Sequence, residues 1–265
     1  MTEEDKKRLF FGAKIKAPWP LELPKGRVID ENTRHITLAF LGKNSLKRIE
    51  KLLPSIPKPE FEIGPVGVGR ELVFLPPQNS RVAAIAIHFD DLRLNNYQKT
   101  LADWLKSNDY PVDERPFFPH ATVARAPFDQ EEWVEQFSPL PVYVQGIHLY
   151  ESLGNLQYRS VWEYPLLSPF EEFEHTADIA FLIRGANVSE LHLNAQIALA
   201  FHFPRLIDFF TSSLKDSLDE IIIALNEMVS KADAVYGCPF KAVSFHGKIE
   251  KKSPQLLQWE MIVDV

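Results

Sequence analysis

The sequence predicts an α+β chain in two units: a two-lobed, internally duplicated domain over residues 1–167, followed by a small α+β domain over residues 168–265. Three observations predict this. Short apolar, β-branched runs alternate with stretches at helical spacing. One pattern recurs, as RHITLAF at 34–40 and PHATVAR at 119–125, with 85 residues between His35 and His120. That period is too long for a solenoid and suits two lobes of one domain. Charge then changes at the Pro165–Pro169 segment: residues 1–170 carry 21 basic and 22 acidic side chains, the remainder 8 and 14, which makes the overall −7.

In order along the chain, Arg8–Ile15 reads as a strand, followed by a proline-rich loop through Pro18, Pro20 and Pro24. His35–Leu41 is a β-branched apolar run ending at Gly42 and reads as a buried strand. A short helix is expected from Asn44 or Ser45 to Pro54, with strands at Glu60–Val68, Glu71–Leu75 and Arg81–Phe89. Asp91–Asn108 places Tyr97, Leu101, Trp104 and Leu105 on one helical face. The second copy of the motif follows, and strands at Val142–Glu151 and Leu156–Tyr164 close the unit.

Beyond the Pro165–Pro169 seam, Phe173–Arg184 reads as one strand with a polar entry. Asn187 followed by Glu190 is a capping-box signature, opening an amphipathic helix with Leu191, Ala195, Ala198 and Leu199 on its apolar side. A second helix over Lys215–Ala232 and strands at Lys241–His246 and Gln255–Val265 complete a small α+β domain.

Composition narrows the function. With 45% hydrophobic and 25% charged residues this is an ordinary globular composition. No apolar run has the length of a bilayer span and the first residues are charged, so no membrane association and a cytoplasmic location are expected. One cysteine, Cys238, excludes an internal disulfide or a multi-cysteine zinc site. A net charge of −7 argues against broad, sequence-independent nucleic-acid binding but leaves room for a local basic cleft.

The chemistry lies in the repeated His-x-Thr. His35 and Thr37 stand two residues apart on a strand, as do His120 and Thr122, so each pair shares one face. A lone histidine on an apolar strand is more often structural; two such motifs at matching points of a duplication are not readily coincidental. Opening a cyclic phosphodiester needs a base to activate water and an acid to protonate the leaving oxygen, and histidine serves as either near neutral pH. The threonine hydroxyls can donate to non-bridging phosphate oxygens. Two imidazoles form a sufficient acid/base set, so no cofactor is expected for this reaction. His88 and His148 lack the threonine and read as packing residues.

RLFFGAKI, RHITLAFLG, PHATVAR and LYESLGNLQYRSVWEY resemble the RNA 2′,3′-cyclic phosphodiesterase branch of the 2H phosphoesterase family, over residues 8–165. The resemblance implies two lobes whose motifs face each other across a cleft, with His35 and His120 as the catalytic pair. It also implies RNA or nucleotide ends bearing a 2′,3′-cyclic phosphate as substrate, a 2′-phosphate product, and 2′-5′ RNA ligation as a related reverse chemistry. Arg125 matches a position near the substrate phosphate.

Glu172–Gly185 (EFEHTADIAFLIRG), ELHLNAQIALAF, LNEM, KAVSFHG and the terminal IVDV resemble archease, over residues 170–265. That resemblance implies an activator of the GTP-dependent RNA ligase of tRNA splicing, and a metal held by Asp178, Asp264 and the Val265 carboxylate. Lys241 and His246 match further functional positions. Carboxylates with no cysteine favour a hard divalent cation such as calcium or magnesium. The stretch from Phe201 to Asp219 is short of the additional strand sequence usual in archease. Two other functions stay open at this point: an RNA-end-binding activator without turnover, and ligation as the main activity.

Overall fold

The computed structural model describes residues 6–174, 178–244 and 247–265. The first half is built on one antiparallel sheet: β1 (Lys6–Lys16), β2 (Arg27–Val28), β3 (His35–Ser45), β4 (Val66–Leu75), β5 (Val82–Phe89), β6 (His120–Arg125), β7 (Leu140–Gly154) and β8 (Gln157–Pro165). Pairing runs β1-β3-β6-β5-β4-β7 and closes on itself because β7 also pairs with β1. β8 continues along β7, and β2 lies on β6. The two lobes meet most thinly where β3 touches β6, through the single pair Ile36↔Ala121.

Both motif strands are followed by a short helix: α1 (Leu46–Glu50) after β3, and α3 (Gln130–Gln136) after β6. Ser45 and Asp129 cap these helices by accepting backbone N–H bonds. The long helix α2 (Arg93–Ser107) joins β5 to β6; the equivalent connection in the first lobe is the proline-rich loop carrying β2. Leu94, Tyr97, Leu101 and Leu105 of α2 are buried in the core that also takes Ile36 and Leu38 of β3, Ala121 and Val123 of β6, and Phe11 of β1. Gln98 donates to the Leu38 carbonyl at 3.1 Å and fixes α2 against β3. α2 covers one face of the sheet, here the outer one, and the alternate residues of β3 and β6 turn to the opposite, inner face.

Several expected elements are redrawn. Glu60–Pro65 is loop, and one strand, β4, spans what reads as two, because a bulge at Arg70 carries pairing with β5 through the break. Phe173–Arg184 is two antiparallel strands, β9 (Phe170–Glu174) and β10 (Ile179–Gly185), paired from Ile179↔Glu174 to Ile183↔Phe170. Residues 175–177, the His-Thr-Ala of the archease-like motif, lie outside the described residues.

The second sheet runs β11 (Ala242–Val243), β13 (Leu256–Asp264), β10, β9, with β12 (Glu250–Ser253) also on β13. Two helices cover it, α4 (Val188–His202) and α5 (Leu218–Tyr236). Asn187 accepts from the Glu190 N–H at 2.9 Å while Glu190 Oε2 accepts from the Ala186 N–H, a capping box shifted by one residue. The expected amphipathic stripe on α4 is absent: every residue from Glu190 to Ala200 is buried. The reason is position. α4 lies against β10 and β13 on one side, and its core also takes in Val66, Val68 and Tyr143 of the first sheet.

The seam is a joint rather than a free linker. Leu167 donates to the Glu62 carbonyl and accepts from Gly64, and Leu166 donates to Gln145. Arg93 of α2 pairs with Glu190 of α4 at 2.8 Å and with Asp91 at 2.7 Å. No described helix is long and apolar enough to cross a membrane.

Candidate active site

The pair Ile36↔Ala121 fixes the geometry of the motifs. In an antiparallel ladder, residues directly opposite share a face and their neighbours fall on the other. Ile36 and Ala121 are fully buried toward the outer core. His35 and Thr37 flank this pair on β3, His120 and Thr122 flank it on β6, and all four side chains fall on the inner face. The four residues that the sequence singles out are brought together by one rung.

Each histidine is held in the same way. His35 Nδ1 lies 2.7 Å from the Thr33 carbonyl, and His120 Nδ1 lies 2.8 Å from the Phe118 carbonyl, two residues upstream in both cases. A carbonyl can only accept, so Nδ1 carries a hydrogen in both and Nε2 is the nitrogen left for chemistry. The hydroxyls of Thr37 and Thr122 make no hydrogen bond with other described residues and stay available to a ligand.

The surroundings of the two rings differ. Phe10, Tyr150 and Tyr158 pack round His35 with centroid separations of 4.7, 5.1 and 5.2 Å. Desolvation by these rings pushes the His35 pKa down to about 4; the Thr33 bond opposes the shift, and the neighbouring His120 and His148 add to it. His35 is thus neutral at pH 7. The residue as a whole is half-buried. His120 stacks on the exposed ring of Phe118 at 5.3 Å.

Small residues make the room. Gly12 pairs with Thr37, and a Cβ there would stand 3.2 Å from the His35 ring and 3.3 Å from that of Tyr150. On the strand next to β6, Ala86 stands opposite His120 and Ala84 opposite Thr122.

Further residues belong to this face that the motif alone does not identify. Lys14 pairs directly with His35 across β1 and β3, is half-buried, and makes no ion pair among the described residues. Alternation from Gly12 places it on the inner face, the signal available in the sequence. His148 is 6% exposed, which agrees with packing, yet it lies opposite Gly12 on the inner face. Its Nδ1 is 2.8 Å from Ser160 Oγ, and burial lowers its pKa to about 4. His88, by contrast, is exposed and does not pack as expected.

Arg125 shows what periodicity misses. Three residues beyond Thr122, it would face away from it on a regular strand. The register passes from Ala84↔Thr122 to Ala83↔Ala124 and Val82↔Arg125, so Val123 is a bulge and Arg125 returns to the inner face.

The carboxylates of the second sheet gather at one end. Ile179 pairs with Val263, which brings Asp178 beside Asp264 at the next position. The Val265 main-chain oxygen accepts from Lys241 Nζ at 2.6 Å, and Asp264 Oδ1 accepts from Ser244 Oγ at 3.3 Å. No group of three or more His, Cys, Asp or Glu side chains is arranged for a metal among the described residues, and His246 lies outside them.

No protein-family model matches the sequence, and no curated protein matches it. Among solved structures the chain is similar to Escherichia coli LigT complexed with 3′-AMP, at 22% identity over 61% of this chain and 98% of that one, with a TM-score of 0.44. It is also similar to TT0787 of Thermus thermophilus, at 18% identity over 61% and 98% with a TM-score of 0.45. A third, described as a phosphoesterase, is 22% identical over 61% and 99%, with a TM-score of 0.44.

Proposed function

We propose that the first half of the chain is a 2H-type phosphodiesterase that opens 2′,3′-cyclic phosphates at RNA or nucleotide ends. The observation that carries this reading is the single pair Ile36↔Ala121, flanked by His35 and Thr37 on one strand and by His120 and Thr122 on the other, with both Nδ1 atoms tied to backbone carbonyls. Neutral in the free protein, His35 suits the base. Its Nε2 takes a proton from water as the water oxygen attacks phosphorus; the P–O3′ bond breaks, and His120, entering this step as the imidazolium with its Nδ1–H on the Phe118 carbonyl, gives its Nε2 proton to the departing O3′. The product is a 2′-phosphate beside a free 3′-hydroxyl. Thr37 and Thr122 donate to the non-bridging oxygens, where charge grows in the transition state, and Lys14 offsets the phosphate charge, with Arg125 one inner-face step beyond Thr122. Negative charge arriving with substrate also raises the His35 pKa, making it a better base when occupied.

The second half supports a companion role. Its sequence resembles archease, and Asp178, Asp264 and the Val265 carboxylate would hold a divalent cation such as calcium or magnesium, as in an activator of a GTP-dependent tRNA-splicing RNA ligase. The joined sheet ends favour this reading.

The test is hydrolysis of a 2′,3′-cyclic-phosphate oligonucleotide in chelator by the wild type, His35→Ala and His120→Ala, with the product phosphate located by NMR. Turnover to a 2′-phosphate, reduced by about 10²–10⁴-fold in each variant, is expected. Turnover indifferent to both histidines overturns the enzyme reading. Ligation of RNA halves is the separate assay for the reverse direction.

A further inference from the structure

Arg125 has a second arginine directly across from it. β2 is only two residues long, yet it pairs Arg27↔Arg125 and Val28↔Ala124. Like charges directly opposite on a ladder repel, and here both side chains are exposed and neither makes a hydrogen bond or ion pair with another described residue. The backbone that presents Arg27 is nonetheless pinned at both ends. Trp133 Nε1 donates to the Lys25 carbonyl at 3.1 Å, the Ile29 N–H donates to Val123 at 2.9 Å, and Arg34 Nε donates to the Ile29 carbonyl at 3.1 Å. Two unpaired guanidiniums are thus held side by side on a fixed scaffold.

Their position relative to the histidines gives the pair a purpose. Through β5, His120, Thr122 and Arg125 stand opposite Ala86, Ala84 and Val82, one inner-face step apart each time. A two-residue strand step is about 7 Å, comparable with the distance between neighbouring phosphates on a nucleic-acid strand. A phosphate seated between the histidines therefore has its neighbour delivered to Arg125 and Arg27. Guanidinium forks match phosphate oxygens in pairs, which surface lysines do not.

We infer that Arg27, with Arg125, binds the phosphodiester next to the terminal one, so that the site takes the end of an RNA strand in preference to a mononucleotide. This rests on the phosphodiesterase reading for the seat of the terminal phosphate, but not on turnover. The test uses fluorescence anisotropy on the full chain with a single-stranded RNA oligonucleotide ending in a 2′-phosphate, across a range of salt. Competition by a nucleoside 2′-monophosphate reports the terminal site alone. The variants are Arg27→Gln and, as a control for general charge, Lys99→Gln on the outer helix.

Arg27→Gln should weaken the oligonucleotide about tenfold and flatten the salt slope by about 0.7, the value for one phosphate contact on a single strand. Mononucleotide competition should stay within about twofold, and Lys99→Gln should change neither. An Arg27→Gln effect no larger than that of Lys99→Gln, or equal losses for oligonucleotide and mononucleotide, overturns the inference. If the wild type does not hydrolyse cyclic ends but Arg27→Gln still loses oligonucleotide selectively, the catalytic reading falls and the strand-binding pair stands.

Discussion

Removing the Tyr158 ring should move the titration of His35 upward without touching the histidine itself. A drop from the ordinary 6.5 to about 4 amounts to about 3 kcal/mol held against the imidazolium, at about 1.36 kcal/mol per unit. Three rings, Phe10, Tyr150 and Tyr158, share that desolvation. Tyr158 is the one that can be removed cheaply, because Phe10 and Tyr150 are buried in the sheet whereas Tyr158 is half-exposed on β8. Water replacing one wall of three should return about a third of the penalty, roughly 1 kcal/mol or somewhat under one pH unit. The assay is NMR titration of the His35 Cε1 proton, assigned with His35→Gln, in wild type and Tyr158→Ala. The expected midpoints are about 4 and about 5, and the acid limb of kcat/KM should move by the same amount. A wild-type midpoint at the ordinary histidine value, or no movement in Tyr158→Ala, would refute the claim that ring packing sets the protonation of His35.

Four other outcomes follow from the same geometry. Thr37→Val and Thr122→Val should each lower kcat by about 10²-fold with little change in Tm, as expected for donors acting on transition-state charge; equal losses in Tm would mark them as structural. Gly12→Ala should destabilise by about 1–3 kcal/mol, because the new methyl presses on His35, Tyr150 and the Ile36 carbonyl together, and differential scanning calorimetry would show it. Stability should fall on acidification: burial lowers His35, His148 and the α4 residue His192, fully buried, to about 4 when folded, down from the ordinary 6.5. Between those values the unfolded chain binds the extra protons, so stability is complete above about 6.5 and is lost as pH falls toward 4, by about 2 kcal/mol per group at pH 5; urea unfolding at pH 7.5 and 5 measures it. Arg93→Ala leaves the buried Glu190 carboxylate without its cation and should cost about 3 kcal/mol while separating the two halves into distinct unfolding transitions; a single unshifted transition would show that apolar packing and the backbone bonds of the seam suffice to join the halves.

Residue types and strand spacing alone determine the catalytic candidates. His35, Thr37, His120 and Thr122 are legible because a two-residue period on an apolar strand can place them only on a common face, and because the motif occurs twice. Most of the long elements are legible for the same reason, α2 above all, since its apolar stripe is regular. What local pattern does not contain is pairing. The rung Ile36↔Ala121 unites the two halves of the site across 85 residues of sequence, and no periodicity in either strand encodes its register. The bulge at Val123, which turns Arg125 inward, depends on how β6 meets β5. α4 loses its polar face because a second sheet arrives to bury it. His35 stays a neutral imidazole well below its ordinary titration range because Phe10, Tyr150 and Tyr158, from three different strands, close round it. Sequence determines which groups are present and which face of a strand they share; long-range contact decides what each faces across the cleft and how much water it keeps, and protonation follows from those two quantities.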